Sequence, residues 1–137
     1  MLFKPEFIPL LKSGQKTQTR RLVKEGDKLV SEAWGVAHPD AVVTTSGHVR
    51  WMVDHTYAVQ PGRGKKSVGR VLVTSIRRQR LDQMTMYDAI AEGADSSWNG
   101  ADCLAWFRRV WNKICKVYGT RYQDNPDAWV LGLEWVR

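Results

Sequence analysis

The stretch from Asp102 to Tyr118 carries a sustained helical pattern. Leu104, Phe107, Trp111, Ile114 and Tyr118 recur every three or four residues, while Arg108, Arg109, Asn112, Lys113 and Lys116 take the other faces. Elsewhere the longer apolar patterns alternate. Val68 to Ile76 sets Val71 and Val73 on one face and Leu72 on the other, and Ala128 to Val136 sets Trp129, Leu131, Leu133 and Trp135 against Val130 and Glu134. Val49 to Val59 is rich in β-formers, Trp51, Val53, Thr56 and Tyr57 among them, and predicts a strand or a bent pair. Lys28 to Trp34 alternates loosely and would place Glu32 and Trp34, an acid beside an aromatic platform, on one strand face. Strands with so little helix between them do not make a doubly wound sheet; the expectation is one α+β domain.

Two short helices interrupt the strands. Phe7 to Leu11 follows Pro5 and stops at Gly14. Thr85 to Glu92 begins at a capping threonine, has Asp88 three residues on as the matching acid, and stops at Gly93. Gly35 to Gly47, with Pro39 and the run Thr44-Thr45-Ser46, reads as a long loop in which Ala41 to Val43 has room for a brief strand.

The 137 residues suffice for a single domain, residues 1–137, with a core that needs no staples. Cys103 and Cys115, twelve apart in the helical stretch, would lie about 18 Å from each other and cannot pair. Apolar runs are too short to span a membrane, and no charged-then-apolar leader pattern occurs, so a cytoplasmic protein is expected. An excess of Lys and Arg gives a formal charge of +7, which favours nucleic acid or nucleotide as partner. Seven tryptophans exceed the needs of a core this size, and some are free to stack on bases.

Chemistry concentrates in Gly14-Gln15-Lys16-Thr17-Gln18-Thr19-Arg20-Arg21: an amine, hydroxyls and guanidiniums at a helix exit. In a regular strand Lys16 and Thr19 would point to opposite faces, so they cooperate only if the chain turns there. Other site chemistries fail on spacing. His38, His48 and His55 sit on separate segments and neither cysteine has a partner at zinc spacing, so no metal is expected. No serine lies in a nucleophile elbow and no dinucleotide fingerprint is present, so no cofactor is expected. Pro61 to Ser67 resembles a phosphate loop but has Val59 where its first glycine should be. The remaining set is Lys16, Thr19 and Glu92. A lysine whose pKa is lowered by burial and by Arg20 or Arg21 can take the proton of a threonine nucleophile, and a carboxylate can orient the amine or protonate a leaving group. Glu92 closes its helix where the dipole prefers a cation, a placement against local preference. A solvated basic turn and an ordinary helix-end glutamate would have the same spacing.

Gly-Gln-Lys-Thr-Gln-Thr-Arg-Arg resembles the Gly-x-Lys-Thr-x-Thr-x-Arg signature of the ASCH domain family, whose members have a PUA-like β-barrel fold. Gly26-Asp27-Lys28-Leu29 with Glu32 and Trp34, Leu81-Asp82, the Asp88 to Gly93 helix end, and Asn125-Pro126 with Trp129 extend the resemblance, which is to small phage and prophage ASCH proteins. It implies a PUA-like mixed barrel with short flanking helices and one longer C-terminal helix. Compact bacterial members are N4-acetylcytidine amidohydrolases using a lysine, a threonine and a glutamate. The signature carries the first two onto Lys16 and Thr19, and counting from the shared Leu-Asp carries the third onto Glu92. Arg21 matches the signature arginine and, with Arg20, Glu32 and Trp34, is expected to hold substrate. Arg20 stands where the compact amidohydrolases have an apolar residue.

The resemblance implies an amidohydrolase acting on an N4-acylated cytosine nucleoside. A second reading is an RNA-binding module, with Arg77, Arg78, Arg80, Arg108 and Arg109 on phosphates and Trp34 or Trp98 stacked on a base. A third is a metal-independent ribonuclease, in which the lysine and arginines stabilise a pentavalent phosphate. The expected partner is a modified nucleoside or RNA.

Overall fold

The computed structural model describes residues 1–137 and contains seven strands in two antiparallel sheets with three α-helices. Pro5–Phe7 forms a single helical turn that runs into α1 (Ile8–Ser13), and Gly14, at φ 81°, ends the helix in the left-handed conformation. β1 (Gln18–Leu22) follows, then β2 (Lys28–Ala33), β3 (Val36–Val43), β4 (Val49–Met52), β5 (Thr56–Val59) and the long β6 (Gly69–Arg80). α2 (Met86–Glu92), α3 (Gly100–Ile114) and β7 (Asp127–Trp135) complete the chain. One sheet has the order β1-β7-β6-β5, the other β2-β3-β4.

This is the α+β architecture the alternation predicts. The turn between β4 and β5 links the sheets: the Asp54 amide donates to the Val73 carbonyl at 2.8 Å, and the Val73 amide donates to the His55 carbonyl at 3.0 Å. The first core lies on one face of the four-stranded sheet, where Ile76, Trp129, Leu131 and Leu133 meet Val42 and Trp51 of the smaller sheet and Phe3 and Leu11 of the N-terminal segment. The second core lies under the helices, where Ala89, Cys103, Phe107 and Trp111 pack with Leu81, Met84 and Ala128. β7 serves both cores, because successive residues of a strand face opposite ways.

Several expectations need correction. Residues 35–47 are not a long loop: Val36–Val43 is a strand that pairs with β2 on one side and, through Ala41 to Val43, with β4 on the other. Pro39 is tolerated because it lies opposite the bulge in the β2 pairing and before the first β4 pair, where no ladder donor is needed. β6 runs on past the expected end at Ile76 to Arg80, so Arg77, Arg78 and Arg80 belong to the strand. α3 ends at Ile114 with Cys115 in an extended conformation, so Lys116 and Tyr118 leave the helix and Tyr118 is 85% exposed. The strands form two antiparallel sheets; the isolated bridge between Leu2 and Gln60 is parallel.

β6 bends where its register with β7 shifts between Val73 and Ser75. Gly132 lies across from that bulge, and a Cβ there would stand 2.5 Å from the Ser75 hydroxyl and 2.6 Å from that of Thr74.

Asp27 fastens the smaller sheet to the larger one. Its buried Oδ2 accepts from the Trp129 indole at 3.0 Å, from the Lys24 amide at 3.0 Å, and from the Arg50 guanidinium. Burial pushes this carboxyl up, but the Trp129 and Lys24 hydrogen bonds and the Arg50 charge outweigh it and hold the pKa below the ordinary aspartate value. Asp27→Asn is expected to lower the unfolding free energy by about 1–3 kcal/mol, read from urea melts. Because the folded carboxyl has the depressed pKa, its contribution is present above the unfolded aspartate pKa and is lost as pH falls through the folded one. The wild type should therefore lose its margin over Asp27→Asn in acid; a margin independent of pH would count against an ionised Asp27.

Candidate active site

The helix exit supplies the turn that Lys16 and Thr19 require. After Gly14 the Lys16 amide donates to the Leu10 carbonyl at 3.0 Å, the Thr17 amide to the Ala91 carbonyl at 2.9 Å, and the Leu133 amide to the Thr17 carbonyl at 2.8 Å. Residues 16 and 17 are thereby tied to α1, α2 and β7 before β1 begins. β1 is the outer strand of its sheet. Its register places Thr19 opposite Leu131 and Arg21 opposite Trp129, on the first-core face, while Arg20 lies opposite Val130 on the helix-covered face. Beside this edge is a cavity of about 210 Å³ lined by residues from both faces, Lys16, Thr19, Arg20, Arg21 and Leu22, together with Glu92. Its walls are apolar: Phe3 and Phe7 from the N-terminal segment, and Trp106, Phe107, Val110, Trp111, Ile114 and Cys115 from α3 and its end. The Phe7 and Trp106 rings meet edge to face, 6.1 Å between centroids.

Lys16 and Glu92 form a buried ion pair, both residues under 5% exposed. The amine donates to Glu92 Oε2 at 2.9 Å and to the Glu92 backbone carbonyl at 2.7 Å, and stands 4.7 Å from the centre of the Phe7 ring. The second bond explains how a carboxylate is tolerated at the end of α2: its partner places a cation against the last turn, as the dipole prefers. Burial pulls the Lys16 pKa below the ordinary lysine value; Glu92 opposes this and Arg21 adds to it. An amine so placed gives up its proton more readily than a free lysine.

Arg20 is also buried. Its Nη2 donates to Gln79 at 2.7 Å and lies 3.5 Å from an Asp88 oxygen, while its Nε, 3.8 Å from Glu92 Oε1, and its Nη1 have no hydrogen-bond partner in the protein. Arg21 donates from Nη2 to the Leu2 carbonyl at 2.7 Å and packs 5.0 Å from the Phe3 ring, leaving its buried Nε unpartnered. Glu92 Oε1 is unpartnered too, and the Thr19 hydroxyl makes no hydrogen bond within the protein. Burial lowers the pKa of both arginines, Glu92 working against it, yet guanidiniums keep their charge. Buried polar atoms left unpaired are costly and stand out in native structures. Here donors, an acceptor and a hydroxyl gather in one place, where a polar ligand would satisfy them.

Lys16, Thr19, Glu92, Arg20 and Arg21, read from sequence, thus come together, and Glu32 and Trp34 do not. Glu32 is exposed on β2, and Trp34 lies beyond that strand in the turn to β3, wholly exposed at φ 56°, so the two do not share a strand face and neither lines the cavity. Of the arginines suited to phosphates, Arg77 pairs with Asp88 at 3.0 Å and Arg78 with Asp127 at 2.6 Å. Trp98 is 40% exposed, outside the cavity. Missing from the sequence reading are the α3 wall and the cations Lys4, Lys24 and Arg50, which also line the cavity. A second stripe on α3, Trp106, Val110 and Ile114 at intervals of four, is the signal that announces the wall.

The α+β fold is similar to that of solved ASCH-domain structures. The ASCH domain of Lactobacillus crispatus JV V101 superposes with a TM-score of 0.58 at 17% identity, over 93% of this chain and 68% of that one. A DUF984 protein of Enterococcus faecalis V583 gives 0.59 at 14% identity, over 93% of this chain and 64% of that one, so this chain spans less than two thirds of its length. No protein-family sequence model and no curated protein sequence matches the chain.

Removing either member of the buried pair should be worse than removing both. Lys16→Met leaves the Glu92 carboxylate with the Arg20 guanidinium, 3.8 Å away, as its nearest cation and is expected to cost about 3–5 kcal/mol, whereas Lys16→Met with Glu92→Leu should recover part of that loss. Urea unfolding of the single and double variants measures the coupling; additive losses would mean that the two groups are not paired in solution.

Proposed function

We propose that the cavity hydrolyses the amide linking an acyl group to the exocyclic amine of an N4-acylated cytosine nucleoside of the N4-acetylcytidine type. The observation that carries this reading is convergence. Lys16 and Glu92, 76 residues apart, are hydrogen-bonded in a cavity that Thr19 also lines, and the threonine hydroxyl has no competing bond in the protein.

In this reading Lys16, as the neutral amine, takes the Thr19 proton while Oγ1 attacks the acyl carbon. The unpartnered donors of Arg20, Nε and Nη1, receive the developing oxyanion, a role that needs donors aimed before the reaction rather than recruited during it. Collapse breaks the carbon–nitrogen bond, the proton returns from Lys16 to the departing amine, and Glu92 holds the ammonium during the interval. Water, deprotonated by Lys16, then attacks the acyl-threonine ester; the acyl carbon–Oγ1 bond breaks, Lys16 returns the proton to Thr19 Oγ1, and a carboxylic acid leaves. The aromatic walls suit a pyrimidine ring. The volume of about 210 Å³ lies below the roughly 300–1,000 Å³ of drug-sized pockets, which favours a small ligand.

Chromatography of N4-acetylcytidine incubated with the protein tests this. Conversion to cytidine is expected for the wild type, with losses of about 100-fold or more in Thr19→Ala and Lys16→Ala and a substantial loss in Glu92→Gln. The rate should rise with pH as Lys16 loses its proton, with a midpoint below the free-lysine value of 10.5. No conversion at high protein concentration, or full activity in Thr19→Ala, would overturn the assignment.

A further inference from the structure

Positive charge around the cavity exceeds what the protein neutralises. Besides Lys16 and Arg20, which face Glu92 and Asp88, the lining includes Lys4, Arg21, Lys24 and Arg50. Arg50 is paired with Asp27. Lys4, Arg21 and Lys24 form no ion pair with any carboxylate of the chain, and the only hydrogen bond from the Arg21 guanidinium goes to a backbone carbonyl.

Two guanidiniums here are held rather than loose. Arg21 rests on Phe3 and Arg50 lies 4.1 Å from the Trp51 ring. They repel each other, since Arg50 contributes to depressing the Arg21 pKa, and like charges fixed beside a cavity favour an anion between them. A neutral nucleoside leaves this charge unanswered.

We propose that the ligand of this cavity carries a phosphate on its sugar, which Arg21, Arg50, Lys4 and Lys24 receive while the base lies against the α3 wall. The inference rests on the amidohydrolase reading for the reaction but not for the binding. A phosphate at this place brings charge-assisted hydrogen bonds from donors that are otherwise unused, including the buried Arg21 Nε. The source of the phosphate is either the terminal group of a mononucleotide or a phosphodiester of an RNA chain.

Two measurements on the intact protein separate this proposal from the reaction. In the first, calorimetric titration with cytidine, cytidine 5′-monophosphate and a short cytidine-containing oligoribonucleotide should show either phosphate-bearing ligand binding about tenfold or more tightly than cytidine. The preference should shrink with added salt and in a Lys4→Ala, Lys24→Ala double variant. A mononucleotide preference identifies the terminal phosphate, and an oligonucleotide preference identifies the chain. In the second, kcat/KM for N4-acetylcytidine 5′-monophosphate or the acetylated oligonucleotide should exceed that for the nucleoside by a similar factor, again salt-dependent. Equal affinities for all three ligands, or a preference untouched by salt and by the double variant, would overturn the proposal. Tight phosphate-dependent binding without hydrolysis of any acetylated ligand would leave it standing and defeat the amidohydrolase reading instead.

Discussion

The buried pair of Lys16 and Glu92 is the interaction around which the site is arranged. It joins the exit of the first helix to the end of the second at the open edge of the larger sheet. Such a pair is a poor way to gain stability, because removing two charges from water costs several kcal/mol each before their attraction offsets it. The surrounding backbone makes it tolerable: the amides of Lys16 and Thr17 are already bound to the two helices, so little further ordering is needed to bring amine and carboxylate together. The bond from Lys16 to the Glu92 carbonyl also resolves the conflict of an acid at a helix C-terminus, since the end of α2 gains a cation from another segment.

β1 then decides what the pair can do. An inner strand would give each face a separate environment; an outer strand lets Thr19 and Arg21 from one face and Arg20 from the other reach one cavity. The position between the two cores follows from the same geometry. Phe3 belongs to the first core, Phe107 and Trp111 to the second, and all three line the cavity. Apolar walls exclude water from the polar end, which strengthens each electrostatic contact there and raises the cost of the atoms left unpaired.

Much of this was legible in the chain, for identifiable reasons. Alternation finds β6 and β7 because large apolar residues recur at every second position, Val71 and Val73 in one and Trp129, Leu131 and Leu133 in the other, and Thr85 with Asp88 marks α2 because the capping box is written within four residues. The β2–β3 hairpin was not legible. Much of β2 and the first half of β3 face solvent, so no burial imprints a period on them, and Pro39 signals a loop unless one knows that it falls opposite a bulge. The length of α3 was misjudged because Lys116 and Tyr118 continue its spacing by chance after the backbone has turned.

For the site, residues clustered in sequence were found and those clustered only in space were not. Lys16, Thr19, Arg20 and Arg21 share one short stretch, and Glu92 was reached through its odd position in a helix. Lys4, Arg50 and the α3 wall meet them by tertiary folding alone. Trp34 shows the converse, since alternation joined it to Glu32, yet at φ 56° it occupies the turn and points to solvent. The two stripes on α3 show why a helical pattern cannot by itself separate core from ligand wall. Phe107 and Trp111 pack the second core with one part of their surface and face the cavity with another. A side chain that does both is held rigid by the core, and that rigidity is what a small pocket requires of its walls.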